Sequence, residues 1–124
     1  MKLQKLVESK EALQRLTKGL LPIGVAWDLK MFFKRIDTEY TSFEELKNQK
    51  IVELGEQLEN GGYRVKPENI QEYYKGIEEL FNKDIEVEVP QVKIGTLKDF
   101  KDKEGNMITI SIEDLMILDW LIIE

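Results

Sequence analysis

The chain has 124 residues, of which 42% are hydrophobic and 34% are charged, and its formal net charge is −6. This composition predicts one folded domain, and no apolar run approaches the roughly 18 residues that a membrane span needs. The chain has no cysteine and no histidine. Disulfides, thiolate chemistry, zinc sites built on Cys or His, and histidine-based catalysis are therefore excluded. We expect a protein that is not an enzyme and uses no cofactor.

The charge and the first residues also bear on partners and location. Residues 1–62 carry ten basic and ten acidic side chains, whereas residues 63–124 carry eight basic and fourteen acidic ones. An acidic half disfavours binding to a phosphate backbone, which needs clustered cations. The first residues are amphipathic and contain acids, unlike a secretion signal. We therefore expect a cytoplasmic protein without a nucleic-acid or membrane partner.

Residues 2–18 predict a first helix, because leucine and valine recur at spacings of three, four and seven with charged residues between them. Gly19 fits the C-terminal cap of this helix. Pro22 is favourable near the start of a new helix, although an extended conformation over residues 22–26 is the alternative.

The stretch from Ile23 to Leu58 predicts a long helix around which the rest of the chain is arranged. It would be roughly 50 Å long at about 1.5 Å per residue, whereas a compact domain of this size has a radius of gyration of about 14 Å. The helix therefore overhangs its domain or packs against a partner. Its apolar residues form one stripe about 100° wide: Leu29, Phe32, Phe33, Ile36, Tyr40, Phe43, Ile51, Leu54 and Leu58.

The short connection between the two helices predicts an antiparallel hairpin over residues 1–60. The first helix is about half as long as the second, so it covers roughly residues 24–41. Trp27, Met31 and Phe32 fall in this covered half, and we interpret them as core residues rather than as a ligand pocket.

Asn60-Gly61-Gly62 is the clearest breaker in the chain and is predicted to end the long helix. Residues 63–65 form a short extended piece. Pro67 then opens a helix of roughly 15 residues, with acids in its first turn and apolar residues spaced by three and four. We expect this third helix to cover the distal half of the long one.

Residues 85–89 alternate strictly between apolar and acidic side chains, which predicts a half-buried strand that Pro90 limits or ends. Residues 92–94 continue the extended run, and residues 107–110 predict a second strand after a turn. The two strands are expected to pair as a small antiparallel sheet that packs on the helices.

Ser111 is predicted to cap the last helix, with an acid three residues later as in a capping box. The residues that follow are apolar almost all round, and such a helix is buried by its own domain or by another chain. We favour burial that includes a subunit interface. In the alternative, the terminal residues extend the small sheet and are hidden there. The predicted interface residues are Trp120, Leu121, Ile122, Leu118 and Met116, with Leu54 and Leu58 as a second group.

No pattern of residues indicates a catalytic or metal site. Adjacent carboxylates on a helix point about 100° apart and do not converge. Glu86 and Glu88 share the solvated face of their strand, and the run from Asp99 to Gly105 lacks the ligand spacing of a calcium loop. Tyr73 and Tyr74 lie in a sequence too acidic for a base-stacking platform, so we assign them to packing.

The order of several short features also suggests a family. They are Leu21-Pro22-Ile23, Lys34-Arg35-Ile36-Asp37, Glu78-Glu79-Leu80, the alternating residues 85–89, Val92-Lys93-Ile94, Thr96-Leu97, Ile110-Ser111-Ile112-Glu113-Asp114-Leu115 and Leu118. Taken together they resemble a family of small uncharacterised proteins encoded by tailed phages of Gram-positive bacteria, over nearly the whole chain. The resemblance carries no catalytic or binding residue. It implies a phage product that works in the cytoplasm of the infected host or as a minor part of the particle.

These observations predict an α+β fold that is mostly helical. It consists of a long antiparallel helical hairpin, a third helix, a small antiparallel sheet and an apolar C-terminal helix. For function they predict a non-enzymatic interaction protein that self-associates through its long helix and its C-terminus. The alternative is an acidic inhibitor or modulator that binds a host protein during infection, which would make binding fast and sensitive to salt.

Overall fold

The computed structural model describes residues 1–124 and has the predicted α+β class, with one long helix and two small sheets. The helices are α1 Leu3–Glu8, α2 Lys10–Leu16, α3 Ile23–Leu54, α4 Ile70–Phe81 and α5 Ile112–Ile117. The strands are β1 Gly55–Gln57, β2 Tyr63–Val65, β3 Val92–Lys93 and β4 Ile122–Ile123.

The first helix is divided at Ser9, so the prediction of one helix over residues 2–18 is wrong. The buried Ser9 hydroxyl donates to the Lys5 carbonyl at 2.6 Å, a back-bond that bends helices. The Tyr40 hydroxyl donates to the Leu6 carbonyl from the facing side of α3. The first arm of the expected hairpin is therefore two short helices, α1 and α2, packed on α3.

The long helix begins at Ile23 as predicted but ends at Leu54, four residues before the expected Leu58. A side chain at Gly55 would lie only 2.2 Å from the Ile51 carbonyl oxygen and 2.4 Å from the Arg64 carbonyl oxygen. Only glycine allows the chain to turn so close to its own backbone. The backbone N–H of Lys66 then donates to the Leu54 carbonyl at 3.1 Å, which satisfies one helix end.

The prediction that Asn60-Gly61-Gly62 ends the long helix is also wrong, because these residues form the turn of a β-hairpin. Strand β1 pairs antiparallel with β2 in the register Gly55 to Val65. Gly61 has a φ of +86°, a conformation that favours glycine. The short extended piece predicted at residues 63–65 is confirmed as β2.

Helix α4 follows a single 3-10 turn at Pro67–Asn69, which confirms the predicted helix start. The Phe81 ring stacks on Phe43 of α3 with centroids 5.6 Å apart. No residue of α4 is fully buried. The helix therefore covers one side of the distal half of α3 as a layer that is itself open to solvent.

The predicted pairing of residues 85–89 with residues 107–110 is wrong: residues 85–89 belong to no strand, and Met107 forms an isolated antiparallel bridge with Lys101. Ile85, Val87 and Val89 pack against the core while Glu86 and Glu88 are exposed, so the alternation indicated the buried face correctly. The second sheet instead joins β3 and β4 in parallel, with Val92 beside Ile122.

The C-terminus departs from the predicted apolar helix. Helix α5 is only six residues long; a turn follows, and the last residues form β4. The Ser111 cap is confirmed, since its hydroxyl accepts from the Asp114 N–H at 3.0 Å. The tail completes a core of twelve buried residues: Leu6, Ala12, Leu13, Leu16, Leu29, Phe32, Ile36, Val92, Phe100, Leu118, Leu121 and Ile122.

Candidate interaction surface

The outer face of α3 carries three large apolar side chains at its N-terminal end. Ile23, Trp27 and Met31 are 90%, 59% and 46% exposed. Residues four apart lie one above the other on a helix, so the three form one ridge, here called the α3 stripe. The buried residues Leu29 and Phe32 point toward the core on the other side of the same helix. The first turns of α3 are therefore apolar on two faces, and only one face is covered.

The interpretation of Trp27 and Met31 as core residues is wrong, whereas Phe32 is buried as expected. The physical reason is the reach of the first arm. Helices α1 and α2 supply four residues to the same core as Leu29, and they lie on that face of α3 alone. The extended segment that ends at Pro90 reaches only the edge of the stripe, beside Met31.

A cavity of about 430 Å³ opens beside the stripe, between α3 and the extended segment that ends at Pro90. We call it the α3 cavity. Met31 belongs to both features, so the cavity and the stripe form one continuous surface. The residues that line the cavity are Asp28, Met31, Phe32, Arg35, Glu88, Val89 and Pro90.

The stripe is flanked by Asp28, Glu88 and Arg35 on the cavity side and by Lys30 on the other side. On the cavity side, Arg35 donates from Nη2 to the Glu86 carbonyl at 3.1 Å, which ties the extended segment to α3. The carboxylates of Asp28 and Glu88 take part in none of the ion pairs or side-chain hydrogen bonds of the chain. On the other side, Lys30 places its Nζ 5.5 Å from the centroid of the Trp27 ring.

Trp120 lies beneath this surface and packs on Phe32, with ring centroids 5.8 Å apart. Its Nε1 is the one buried side-chain polar atom without a hydrogen-bond partner. The ring is half-buried against the core, so the structure gives Trp120 a packing role within the chain.

The other predicted interface residues divide between core and surface. Leu118 and Leu121 are 0% exposed, and Ile122 is also buried. These three side chains are enclosed by their own chain, and a second copy reaches them only if the core opens. Met116 is 71% exposed and is available for contact. The remaining two, Leu54 and Leu58, are half-buried around the β-hairpin.

The structure brings no three or more Asp or Glu side chains together in a way that would hold a metal ion. Tyr73 and Tyr74 meet edge to face, with centroids 5.5 Å apart, and burial is the main cause that raises the pKa of Tyr73. The missed feature is the α3 stripe. Its signal in the sequence was the spacing of four between Ile23, Trp27 and Met31.

Comparison with known proteins found no matching protein-family model, no matching curated protein and no matching solved structure. No helix of the structure combines the length and the apolar character that a membrane span needs.

Proposed function

We propose that this chain is a non-enzymatic interaction protein and that the α3 stripe is its contact surface. The observation that carries the proposal is the exposure of Ile23, Trp27 and Met31 on three successive turns of one helix. Single exposed apolar residues are common on protein surfaces, but contiguous apolar patches mark interaction sites. Aromatic residues and methionine are also enriched at interfaces.

The proposed role is that of a phage accessory protein that binds and modulates a host protein in the cytoplasm of the infected cell. The phage setting is supported by the order of sequence features from Leu21-Pro22-Ile23 to Leu118. Binding to a host protein is supported by the net charge of −6 and by the unpaired carboxylates of Asp28 and Glu88 beside the stripe. Such charges speed the encounter with a basic partner and make it sensitive to salt.

Self-association is the second candidate, and one observation favours it. Ile112 and Met116 are four residues apart on α5, and both are strongly exposed. This pair gives a second copy an apolar contact at the C-terminal part of the chain without opening the core. This patch consists of two side chains, whereas the α3 stripe has three.

The test compares three forms of the protein as baits in host lysate at low and high salt. The stripe variant carries Trp27→Ser and Met31→Ser. The control carries Val52→Ser, which replaces another half-exposed apolar residue of the same helix. We expect a partner that wild type and control retain, that the stripe variant loses, and that high salt weakens.

A partner that binds the stripe variant as well as wild type would contradict the proposal. Self-association is read from the absolute mass of the purified protein. An assembly that dissociates when Ile112 and Met116 are both replaced by serine would establish the second candidate.

A further inference from the structure

We infer that the partner presents an amphipathic α-helix, whose apolar seam covers the α3 stripe and whose arginine enters the α3 cavity between Asp28 and Glu88. This inference rests on the proposed function and names the chemistry of the partner at the same surface.

The shape of the stripe favours a helix as its occupant. From Ile23 to Met31 the ridge rises about 12 Å along the axis of α3. A partner helix meets such a ridge with apolar residues at every third or fourth position, the usual anchors of helix recognition. The side of a helix offers no free backbone N–H or C=O groups, so an extended peptide has no strand edge to join along the stripe itself.

The cavity fits a basic side chain with an apolar stem. Met31, Val89 and Pro90 supply apolar walls, and Asp28 and Glu88 supply two carboxylates. The only cation of the cavity, Arg35, already donates to the Glu86 carbonyl. Arginine suits this site better than lysine, because its planar guanidinium is weakly hydrated and matches carboxylates with paired donors.

The charges that flank the stripe disfavour antiparallel pairing with a second copy of this chain. At about 100° per residue, Asp28 and Lys30 project to opposite sides of Trp27. In an antiparallel pair of helices related by a two-fold axis, each flank meets the same flank of the other copy. Asp28 would then approach Asp28, and Lys30 would approach Lys30, which is repulsive. A foreign helix with arginine on one flank and an acid on the other meets both charges favourably.

The experiment uses synthetic amphipathic helices of about five turns as probes. The first has leucines along its seam, an arginine on one flank and a glutamate on the other. Two matched peptides carry glutamine or glutamate in place of the arginine. Binding is followed by the emission of Trp27, with Trp27→Phe as the control that removes the reporter.

We expect the arginine peptide to shift the Trp27 emission to shorter wavelength and to bind about fivefold to tenfold more tightly than the glutamine peptide, as two exposed ion pairs allow. The glutamate peptide should bind more weakly still. Asp28→Asn combined with Glu88→Gln should remove the preference for arginine and leave the affinity for the glutamine peptide unchanged.

Equal affinities for the arginine and glutamine peptides would overturn the inference, and so would a preference for arginine that survives the double substitution. In either case a partner that the stripe variant loses from lysate would still support the proposed function. The two failures are therefore distinguishable.

Discussion

Replacing Leu118 by alanine tests whether the C-terminal residues belong to the core of their own chain or to a subunit interface. Leu118 is 0% exposed and is part of the core cluster, whereas Met116, two residues away, is 71% exposed. Truncating a buried leucine removes transfer free energy and leaves a cavity, at a cost of about 2–5 kcal/mol. The same truncation at an exposed site costs roughly 0.5 kcal/mol or less.

The assay is urea unfolding of wild type, Leu118→Ala and Met116→Ala, each at two protein concentrations well apart. We expect Leu118→Ala to lower the free energy of unfolding by about 3 kcal/mol, close to the middle of the range for such truncations. The loss should be the same at both concentrations, because the contacts lie within one chain. Met116→Ala should unfold like wild type.

A small loss for Leu118→Ala, or a loss that depends on protein concentration, would refute the assignment of the tail to the core. The double replacement of Leu118 and Ile122 by aspartate gives a stronger form of the test. If the tail formed a subunit interface, this double replacement would break the oligomer and spare the fold. The burial of both side chains now predicts that it unfolds the chain.

Three further predictions concern single side chains. Gly55→Ala should destabilise the fold by about 1–3 kcal/mol, because the added methyl group would meet backbone oxygens. Gly76→Ala in α4 adds a methyl group in open space and should stabilise the fold by about 1 kcal/mol. Thermal unfolding of the two variants compares these effects. The hydrogen bond from Arg15 lowers the pKa of Asp114 in the folded protein. The stability that this carboxylate contributes is therefore complete above the pKa of an unfolded aspartate, about 3.9, and is lost as the pH falls through the lower pKa of the folded state. Asp114→Asn should therefore flatten the acid limb of a plot of stability against pH, and an unchanged limb would contradict the assignment. Burial raises the pKa of Tyr40 to about 12, so its contribution is complete below the unfolded value of about 10 and is lost as pH rises toward 12. In an alkaline titration, Tyr40 should be the last tyrosine to gain phenolate absorbance, and Tyr40→Phe should remove this last step.

The two apolar faces of α3 show how much of the fold the sequence pattern predicts. At about 100° per residue, Leu29 and Phe32 point away from Ile23 and Trp27, so the pattern contains both faces. It does not show which face another part of the chain covers. That depends on where α1 and α2 pack, and their position follows from contacts between residues far apart in the sequence.

The ends of the elements depend on the same long-range contacts. Gly55 ends α3 because the carbonyl of Arg64 approaches it, and a pattern read along one helix does not contain that neighbour. The strand partner of Val92 is Ile122 in β4, where the apolar pattern predicted a helix. Local chemistry was more reliable: the Ser111 cap and the helix start at Pro67 needed only neighbouring residues, and both are confirmed.

The absolute mass of the purified protein, measured by light scattering on a size-exclusion column at two concentrations, tests the central claim most directly. A tail buried in its own core and a stripe suited to a foreign helix predict the mass of one chain at both concentrations. A stable dimer or larger assembly that Trp27→Ser combined with Met31→Ser dissociates would contradict this account, because copies of the chain would then cover the surface assigned to a partner.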